Sequence, residues 1–214
     1  MKLTIFGATG GTGVEVVRQA ADAGHEVTAV VRDESRLPAT LRERMTVVEA
    51  DVMDPASIAR AVKDCDAVIS AMGSRGGRAP TTVCADSSRS IISAMDAAGG
   101  GGRLVMVSAS GLAADAGDDP FTRYVVKPMI LQPILKHTFT DMLVAERQVR
   151  ASALNWTIVR PPRLTDKPAK GTYRSAVDRN VRGGWMITRA DLAKALLDVV
   201  DDPASTGHIV SVAN

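Results

Sequence analysis

The sequence predicts an α/β fold of the Rossmann type, in which helices cover both faces of a doubly wound parallel sheet. Two observations carry this prediction. Short apolar runs rich in β-branched residues alternate with longer segments of helical period, and a glycine-rich stretch, FGATGGTG, follows the first of those runs. The 214 residues show no internal repeat and no shift in composition, so we expect one domain over 1–214.

The alternation begins at the N-terminus and continues to the end of the chain. In order, the predicted elements are the strand LTIF, the helix VEVVRQAADAG, the strand EVTAVVR, the short helix PASIARAV, the strand DAVISAMG, the helix TTVCADSSRSIISAMDAAG, the strand RLVMVSAS, a helical stretch to about residue 150, the strand NWTIVRPP, the helix ADLAKALLDVVDD and the strand HIVSVAN. The run GGGG at 99–102 is predicted to be a surface turn after a helix. Residues 161–190 lack clean periodicity and are expected to form a loop region that covers the substrate.

Composition excludes several classes of protein. The 26 basic and 24 acidic side chains leave a net charge of +2, which gives no reason to expect nucleic acid or a membrane as a partner. Cys65 and Cys84 are far apart and no two histidines are near each other, so neither a metal site nor a disulfide scaffold is predicted. No apolar stretch approaches the roughly 20 residues of a membrane span, and we expect a cytoplasmic protein.

The glycine-rich stretch has the spacing GxxGxxG, with glycines at Gly7, Gly10 and Gly13. Glycines at the end of a strand allow a tight turn, let backbone N–H groups approach a pyrophosphate, and let the next helix pack closely with its positive end toward the anion. Thr9 and Thr12 can add hydroxyl donors. The stretch therefore predicts a dinucleotide-binding loop.

The second strand indicates which dinucleotide is bound. It ends in Arg32, whereas a free ribose 2′-hydroxyl would call for an acidic residue at this point. Ser35 and Arg36 follow, and two guanidinium groups with a hydroxyl suit a 2′-phosphate. NADP(H) is thus favoured over NAD; the alternative is that these arginines form solvated pairs with Asp33 and Glu34.

Two further strand ends point to the same ligand. Asp51 can accept a hydrogen bond from an adenine amino group and Val52 can flank the ring, whereas Asp54 before Pro55 is explained as a helix cap. The segment ISAMGSR brings Gly73 to the end of the fourth strand, where we expect the wall of the nicotinamide side.

Taken together, the motifs FGATGGTG, VVRDESRLP, ADV, MGSR, APTTV and RPPRLTDKPAKGTY resemble those of the atypical short-chain dehydrogenases typified by biliverdin-IXβ reductase, also called flavin reductase. The resemblance covers nearly the whole chain. It implies an NADPH-dependent reductase, a monomer or weak homodimer, that acts on a small planar acceptor such as a flavin, a quinone or a tetrapyrrole.

By position, the resemblance also implies the site residues. The nicotinamide side would be lined by Met72, Gly73, Ser74, Arg75, Val107, Ser108, Pro161 and Pro162. Two departures from the family's pattern concern the catalytic end: the fifth strand is followed by Ser108, Ala109 and Ser110 in place of a Thr-Ser pair, and Arg163 stands where the family has a histidine. We take Ser108, Ser110 and Arg163 as the candidate catalytic residues.

A tyrosine and a lysine four residues apart would provide the acid that protonates a carbonyl oxygen. The nearest pair here, Tyr124 and Lys127, is three apart and is followed by Pro128, so a packing tyrosine and a solvated lysine are the favoured interpretation. Reduction of a conjugated acceptor needs little help from such an acid, because the acceptor delocalises the charge.

The segment from 160 to 189 is strongly basic. Its charges are predicted to form a solvated face, except for Arg163, which follows a proline pair at a strand end and can meet a phosphate or carboxylate. Tyr173 and Trp185 are candidates for stacking on a planar acceptor, and burial under the loop is an equal alternative for Trp185.

These patterns favour an NADPH-dependent oxidoreductase that transfers hydride to a conjugated acceptor. One alternative is a non-catalytic, NADP(H)-sensing regulatory protein similar to the NmrA-type members of the same superfamily. A sugar epimerase or dehydratase is disfavoured, because the chain lacks a Tyr-x-x-x-Lys motif and a sizeable C-terminal domain.

Overall fold

The computed structural model describes residues 1–74, 79–100, 102–112, 117–118 and 132–214, and of residues 132–134 it describes the backbone alone. An eight-stranded sheet forms the centre of the molecule, with the strand order β3-β2-β1-β4-β5-β6-β10-β8. The strands are β1 Lys2–Phe6, β2 Glu26–Val31, β3 Thr46–Glu49, β4 Ala67–Ser70, β5 Arg103–Val107, β6 Asn155–Arg160, β7 Arg163–Thr165, β8 Arg174–Val177, β9 Met186–Thr188 and β10 His208–Ala213. The predicted Rossmann-type fold is confirmed.

The helices connect the strands as crossovers. They are α1 Gly11–Asp22, α2 Ala39–Arg42, α3 Pro55–Val62, α4 Val83–Ala97, α5 Gln132–Ala151 and α6 Arg189–Val200. Asp54 caps α3 by accepting a hydrogen bond from the Ala56 N–H at 3.0 Å, with Pro55 in the first turn, as the sequence predicts. In the described part of the chain, no helix is long and apolar enough to cross a membrane.

The sheet is buried on both faces, which explains why its strands read as continuous apolar runs. Along β1 and β5, Ile5 and Val105 face the layer formed by α1 and α6. Phe6, Val68 and Ile158 belong to the opposite layer, with α3, α4 and α5. The two hydrophobic cores therefore lie on either side of one sheet.

One carboxylate links two helices of the second layer. Asp141 on α5 is buried and accepts hydrogen bonds from the backbone N–H groups of Cys84 and Ala85, at 2.9 and 2.8 Å. It thereby caps the N-terminus of α4, whose own cap residue, Thr82, makes no such bond. Burial, together with the negative charge of Asp141, raises the pKa of the Cys84 thiol to about 12.

The segment expected to be a loop, 161–190, contains three short strands. β7 pairs with β9 in a separate parallel ladder that ends at Thr165 opposite Thr188. β8 pairs with β10 and is the antiparallel edge of the main sheet. The apolar pattern did not reveal these strands, because each is only three or four residues long and, of the three, only β9 contributes buried residues, Ile187 and Thr188.

Candidate functional site

The glycine-rich stretch connects β1 to α1, and its glycines are required by geometry. Gly7 has φ +78°, and a Cβ at this position would lie 2.6 Å from the Ala71 carbonyl oxygen. A Cβ on Gly13 would lie 2.0 Å from the Gly7 carbonyl oxygen. Gly13 thus lets the first turn of α1 pack directly against the end of β1.

The N-terminus of α1 is suited to an anion. Gly10 occupies the cap position, no side chain caps the helix, and its first turn carries no acidic residue. The first N–H groups of a helix lack intrahelical acceptors, and the helix dipole adds positive charge at this end. A phosphate would supply the missing acceptors, so the loop fits the pyrophosphate of a dinucleotide.

A cleft of about 410 Å³ opens beside this loop at the carboxyl ends of β1, β2, β3 and β4. We call it the glycine-loop cleft; it is lined by residues 7, 9–12, 30–32, 50–53, 71–74, 83 and 189. Ten of the predicted cofactor residues line it: Gly7, Thr9, Gly10, Thr12, Arg32, Asp51, Val52, Met72, Gly73 and Ser74. A ligand cleft at the point where the strand order reverses is typical of doubly wound folds.

The adenosine side of this cleft is only partly as expected. Asp51 accepts a hydrogen bond from the Met53 N–H through Oδ1 at 3.0 Å. Arg32 lines the cleft, whereas Ser35 and Arg36 are exposed outside its lining. The Ser35 hydroxyl donates to Asp33 at 2.6 Å, and this bond, with that of the Ser35 N–H, lowers the pKa of the Asp33 carboxyl.

The remaining predicted cofactor residues lie elsewhere. Gly13 packs behind the loop, and Val107 borders a small interior cavity between the sheet and α4 and α5. Pro161 and Pro162 line a second cleft. Arg75 lies outside the described residues, as do Tyr124 and Lys127.

The second cleft, of about 430 Å³, lies at the carboxyl ends of β5, β6 and β10. We call it the Trp185 cleft; it is lined by residues 109–111, 118, 135, 139, 160–163, 180, 181, 184, 185 and 211–213. Phe139, Pro161, Val212 and the half-exposed Trp185 give it a mainly apolar wall. Such a wall suits a planar, weakly polar ligand.

Two of the three candidate catalytic residues line the Trp185 cleft. Arg163 is exposed, and its guanidinium makes no hydrogen bond or ion pair with the described residues. Ser110 is tied to the proline turn, since its N–H donates to the Pro161 carbonyl at 2.9 Å. Tyr173 lies elsewhere: its hydroxyl donates to Asp198 at 2.8 Å on the outer side of α6.

Ser108 lines neither cleft. It is buried, and its hydroxyl donates to Glu146 Oε1 at 2.7 Å. Glu146, 1% exposed, also accepts from Arg160 Nε at 2.8 Å and from Arg160 Nη2 at 2.5 Å. The expected catalytic role of Ser108 is therefore not supported by its position, and the serine acts instead within a buried ion-pair network.

Asp191, in the first turn of α6, anchors the basic segment. Its carboxylate accepts hydrogen bonds from the N–H groups of Lys170 and Gly171, from the Thr188 hydroxyl and from the Asn214 amide, at 2.8–3.0 Å. Burial alone would raise the pKa of this carboxyl, but the four hydrogen bonds outweigh it and lower the pKa below the ordinary 3.8. The segment is thus fixed to the start of α6.

One charged residue of the glycine-loop cleft is not apparent from the sequence. The composition of the basic segment predicts a solvated Arg189, but Arg189 lines the cleft with Gly10, Gly11 and Thr12. The sequence feature that points to this position of Arg189 is Gly11, a glycine that the GxxGxxG spacing does not require.

The fold and these clefts define a Rossmann domain whose glycine loop has the geometry to accept a phosphate. The model of a family described as NAD(P)H-binding matches residues 7–203, so the chain belongs to this NAD(P)H-binding family. The resemblance inferred from the motifs is confirmed at this level. Among relatives, YhfK of Bacillus subtilis (strain 168), an uncharacterized sugar epimerase, is 31% identical over 206 residues, covering 94% of this chain and 89% of YhfK.

Solved structures show the same fold. ChuY, an anaerobillin reductase from Escherichia coli O157:H7, superposes with a TM-score of 0.81 at 22% identity, over 100% of this chain and 97% of ChuY. A short-chain dehydrogenase/reductase from Veillonella parvula DSM 2008, in complex with NADP, gives a TM-score of 0.82 at 19% identity, over 100% of this chain and 94% of that one.

Proposed function

We propose that the protein is an NADPH-dependent oxidoreductase that transfers hydride to a conjugated acceptor such as a flavin, a quinone or a bilin. The observation that carries this proposal is the arrangement of the two clefts. The glycine-loop cleft ends at β4 and the Trp185 cleft begins at β5, and these two strands are neighbours in the sheet. A donor and an acceptor held side by side are what a hydride transfer requires.

The glycine-loop cleft would hold the cofactor. Its loop residues Gly7, Thr9, Gly10 and Thr12 would bind the pyrophosphate, and Asp51 and Val52 the adenine. Arg32, with Ser35 and Arg36 at its exposed end, would bind the 2′-phosphate, and residues 72–75 would flank the nicotinamide. When bound, the reduced nicotinamide supplies the hydride. The NADP complex of the Veillonella parvula protein supports the phosphorylated cofactor.

The Trp185 cleft would hold the acceptor. Trp185 is 52% exposed and lines the cleft, where its ring would stack on a planar acceptor, and Phe139 and the proline pair complete an apolar wall. Arg163 is available to an acidic group of the acceptor, such as a flavin phosphate or a bilin carboxylate. The reductase name of ChuY supports an acceptor of this kind.

The tyrosines of the chain favour an acceptor whose reduction does not require a proton donor from the protein. There are two, Tyr124 and Tyr173, and neither is followed by a lysine four residues later. The Tyr173 phenol is half-buried, and burial with the hydrogen bond to Asp198 raises its pKa, which is the opposite of what a proton donor at neutral pH needs. A delocalised acceptor can take a hydride first and a solvent proton later.

The decisive measurement is steady-state oxidation of NADPH, followed by its absorbance, with FMN, FAD, a quinone series and biliverdin as acceptors. We expect turnover with at least one acceptor. Tight binding of NADPH with no acceptor-dependent oxidation would instead favour the regulatory alternative. Interconversion of a sugar nucleotide without net consumption of NADPH would favour the chemistry that the name of YhfK suggests.

A matched variant separates the two clefts. Trp185→Ala removes the exposed aromatic wall of the second cleft and leaves the glycine-loop cleft unchanged. We expect a raised KM for planar acceptors and an unchanged Kd for NADPH. An unchanged KM would place the acceptor elsewhere.

A further inference from the structure

Gly11 is the one glycine of the loop that the dinucleotide-binding spacing does not explain. A Cβ at this position would lie 2.8 Å from both Cδ and Nε of Arg189, and 3.5 Å from its Cζ. Gly11 is the first residue of α1. Its missing side chain therefore makes room for a guanidinium directly over the N-terminus of this helix.

Arg189 is held there by the surrounding structure. The β7–β9 ladder ends with Thr165 opposite Thr188, and the next residue of each strand, Asp166 and Arg189, forms an ion pair between Oδ1 and Nη1 at 2.5 Å. Gln19 of α1 donates a hydrogen bond to the Ala190 carbonyl at 2.8 Å. Gln19 lies about two turns after Gly11, so the ladder and this bond hold the start of α6 against the side of α1, and the Arg189 side chain reaches back to Gly11.

This is an unusual place for a cation. The N-terminus of α1 carries partial positive charge, with no capping side chain and no acidic residue in its first turn, which disfavours a guanidinium beside it. At the start of α6, in contrast, the Thr188 cap and the Asp191 carboxylate offset this charge. Among the described residues, its one ionic partner is Asp166, whose side chain is 85% exposed and well screened by water. Within the same residues, Nε and Nη2 donate no hydrogen bond, so the guanidinium keeps donors that face the cleft.

We propose that Arg189 binds the pyrophosphate of the dinucleotide, with Gly11 providing the space and Asp166 the orientation. An anion between the start of α1 and the Arg189 guanidinium would neutralise the local positive charge, and the planar fork of Arg189 matches the paired oxygens of a phosphate. This inference rests on the binding of a dinucleotide in the glycine-loop cleft and is independent of the acceptor.

The proposed contact has a distinctive consequence for cofactor preference. NADPH and NADH carry the same pyrophosphate, so Arg189 stabilises both to the same extent. Arg32 and Arg36, in contrast, are proposed to contact the 2′-phosphate, which NADH lacks. The ratio of the two dissociation constants therefore distinguishes a pyrophosphate ligand from a 2′-phosphate ligand.

The test is a calorimetric titration of the full chain with NADPH and with NADH. Arg189→Gln is expected to weaken both by a similar factor of roughly 10- to 100-fold, the usual range for a lost charge-assisted hydrogen bond. Gly11→Ala, which displaces the arginine, is expected to weaken both as well. The double variant should bind no more weakly than Arg189→Gln alone, because both changes remove one contact.

Arg179→Gln is the matched control, since Arg179 is an exposed arginine of the same segment that does not line the cleft. Thermal unfolding without nucleotide checks that each variant is folded, and Arg189→Lys should recover part of the affinity. Unchanged affinities in Arg189→Gln, a loss confined to NADPH, or additive losses in the double variant would overturn the proposal. If the wild-type chain bound neither nucleotide, the assignment of the cleft would fail as well.

Discussion

The buried hydroxyl of Ser108 donates a hydrogen bond of 2.7 Å to the carboxylate of Glu146, and the same carboxylate forms an ion pair with Arg160. Arg160 ends β6 and Glu146 lies on α5, so the network connects the sheet to the helical layer directly beneath the Trp185 cleft. Buried ion pairs of this kind depend on complete hydrogen bonding. Ser108 supplies one of the donors that Glu146 needs.

Ser108→Ala is expected to act on stability rather than on chemistry. Loss of one donor to a buried carboxylate should lower the free energy of unfolding by about 1–3 kcal/mol, measured by chemical denaturation. Turnover with the best acceptor should change by far less than the roughly 10²- to 10⁴-fold that a proton-donating side chain supplies. A loss of that size in a fully folded variant would restore Ser108 as a catalytic residue.

Arg32→Ala combined with Arg36→Ala should weaken the binding of NADPH by roughly 10- to 100-fold and leave that of NADH nearly unchanged, because only NADPH carries the 2′-phosphate. Dissociation constants for both cofactors test this expectation. Arg60→Ala, at an exposed arginine of α3 away from both clefts, is the control. Equal losses for the two cofactors would contradict the assignment.

Arg163→Ala should reduce kcat/KM for anionic acceptors by roughly tenfold or more, because one charge-assisted contact to a phosphate or carboxylate is lost. Neutral quinones should be reduced at nearly the wild-type rate. Comparing FMN with uncharged riboflavin isolates the effect of the phosphate on one ring system. Equal relative rates for the two flavins would make Arg163 a surface residue without a role in binding.

The hydrogen bonds of Asp191 predict that the free energy of unfolding decreases in acid. The pKa of its carboxyl is lower in the folded chain than the unfolded value of 3.8, so the folded state is stabilised above that pH and loses this stabilisation as the pH falls through the folded pKa. Asp191→Asn should destabilise the protein by about 1–3 kcal/mol at neutral pH. Its unfolding free energy should also fall less steeply than that of the wild type below about pH 4.

The central fold could be predicted because its signals are local. The buried parallel strands are continuous apolar runs, the cap formed by Asp54 and Pro55 is a short motif, and the glycine loop follows directly after a strand. In each case the residues that determine the structure are neighbours in the chain. The right-handedness of helical crossovers then narrows the possible strand orders to a few.

The parts that could not be predicted depend on partners far apart in the sequence. The strands β7, β8 and β9 are only three or four residues long, and each is formed by pairing with a distant segment. Ser108 is a strand-end serine in the sequence, and only its contact with Glu146 on α5 shows that it is enclosed. Arg189 likewise resembles any surface arginine until α6 packs beside α1.

Asp141 caps α4 at Cys84, and this contact makes the Cys84 thiol a natural probe of local opening. This thiol is buried and, with a pKa of about 12, remains protonated at neutral pH, and thiol reagents attack the thiolate. Alkylation of Cys84 therefore requires a local opening that exposes this thiol to the reagent. The labelling rate of Cys84, measured separately from that of the more exposed Cys65, would report how often the layer behind the two clefts opens, without any introduced probe.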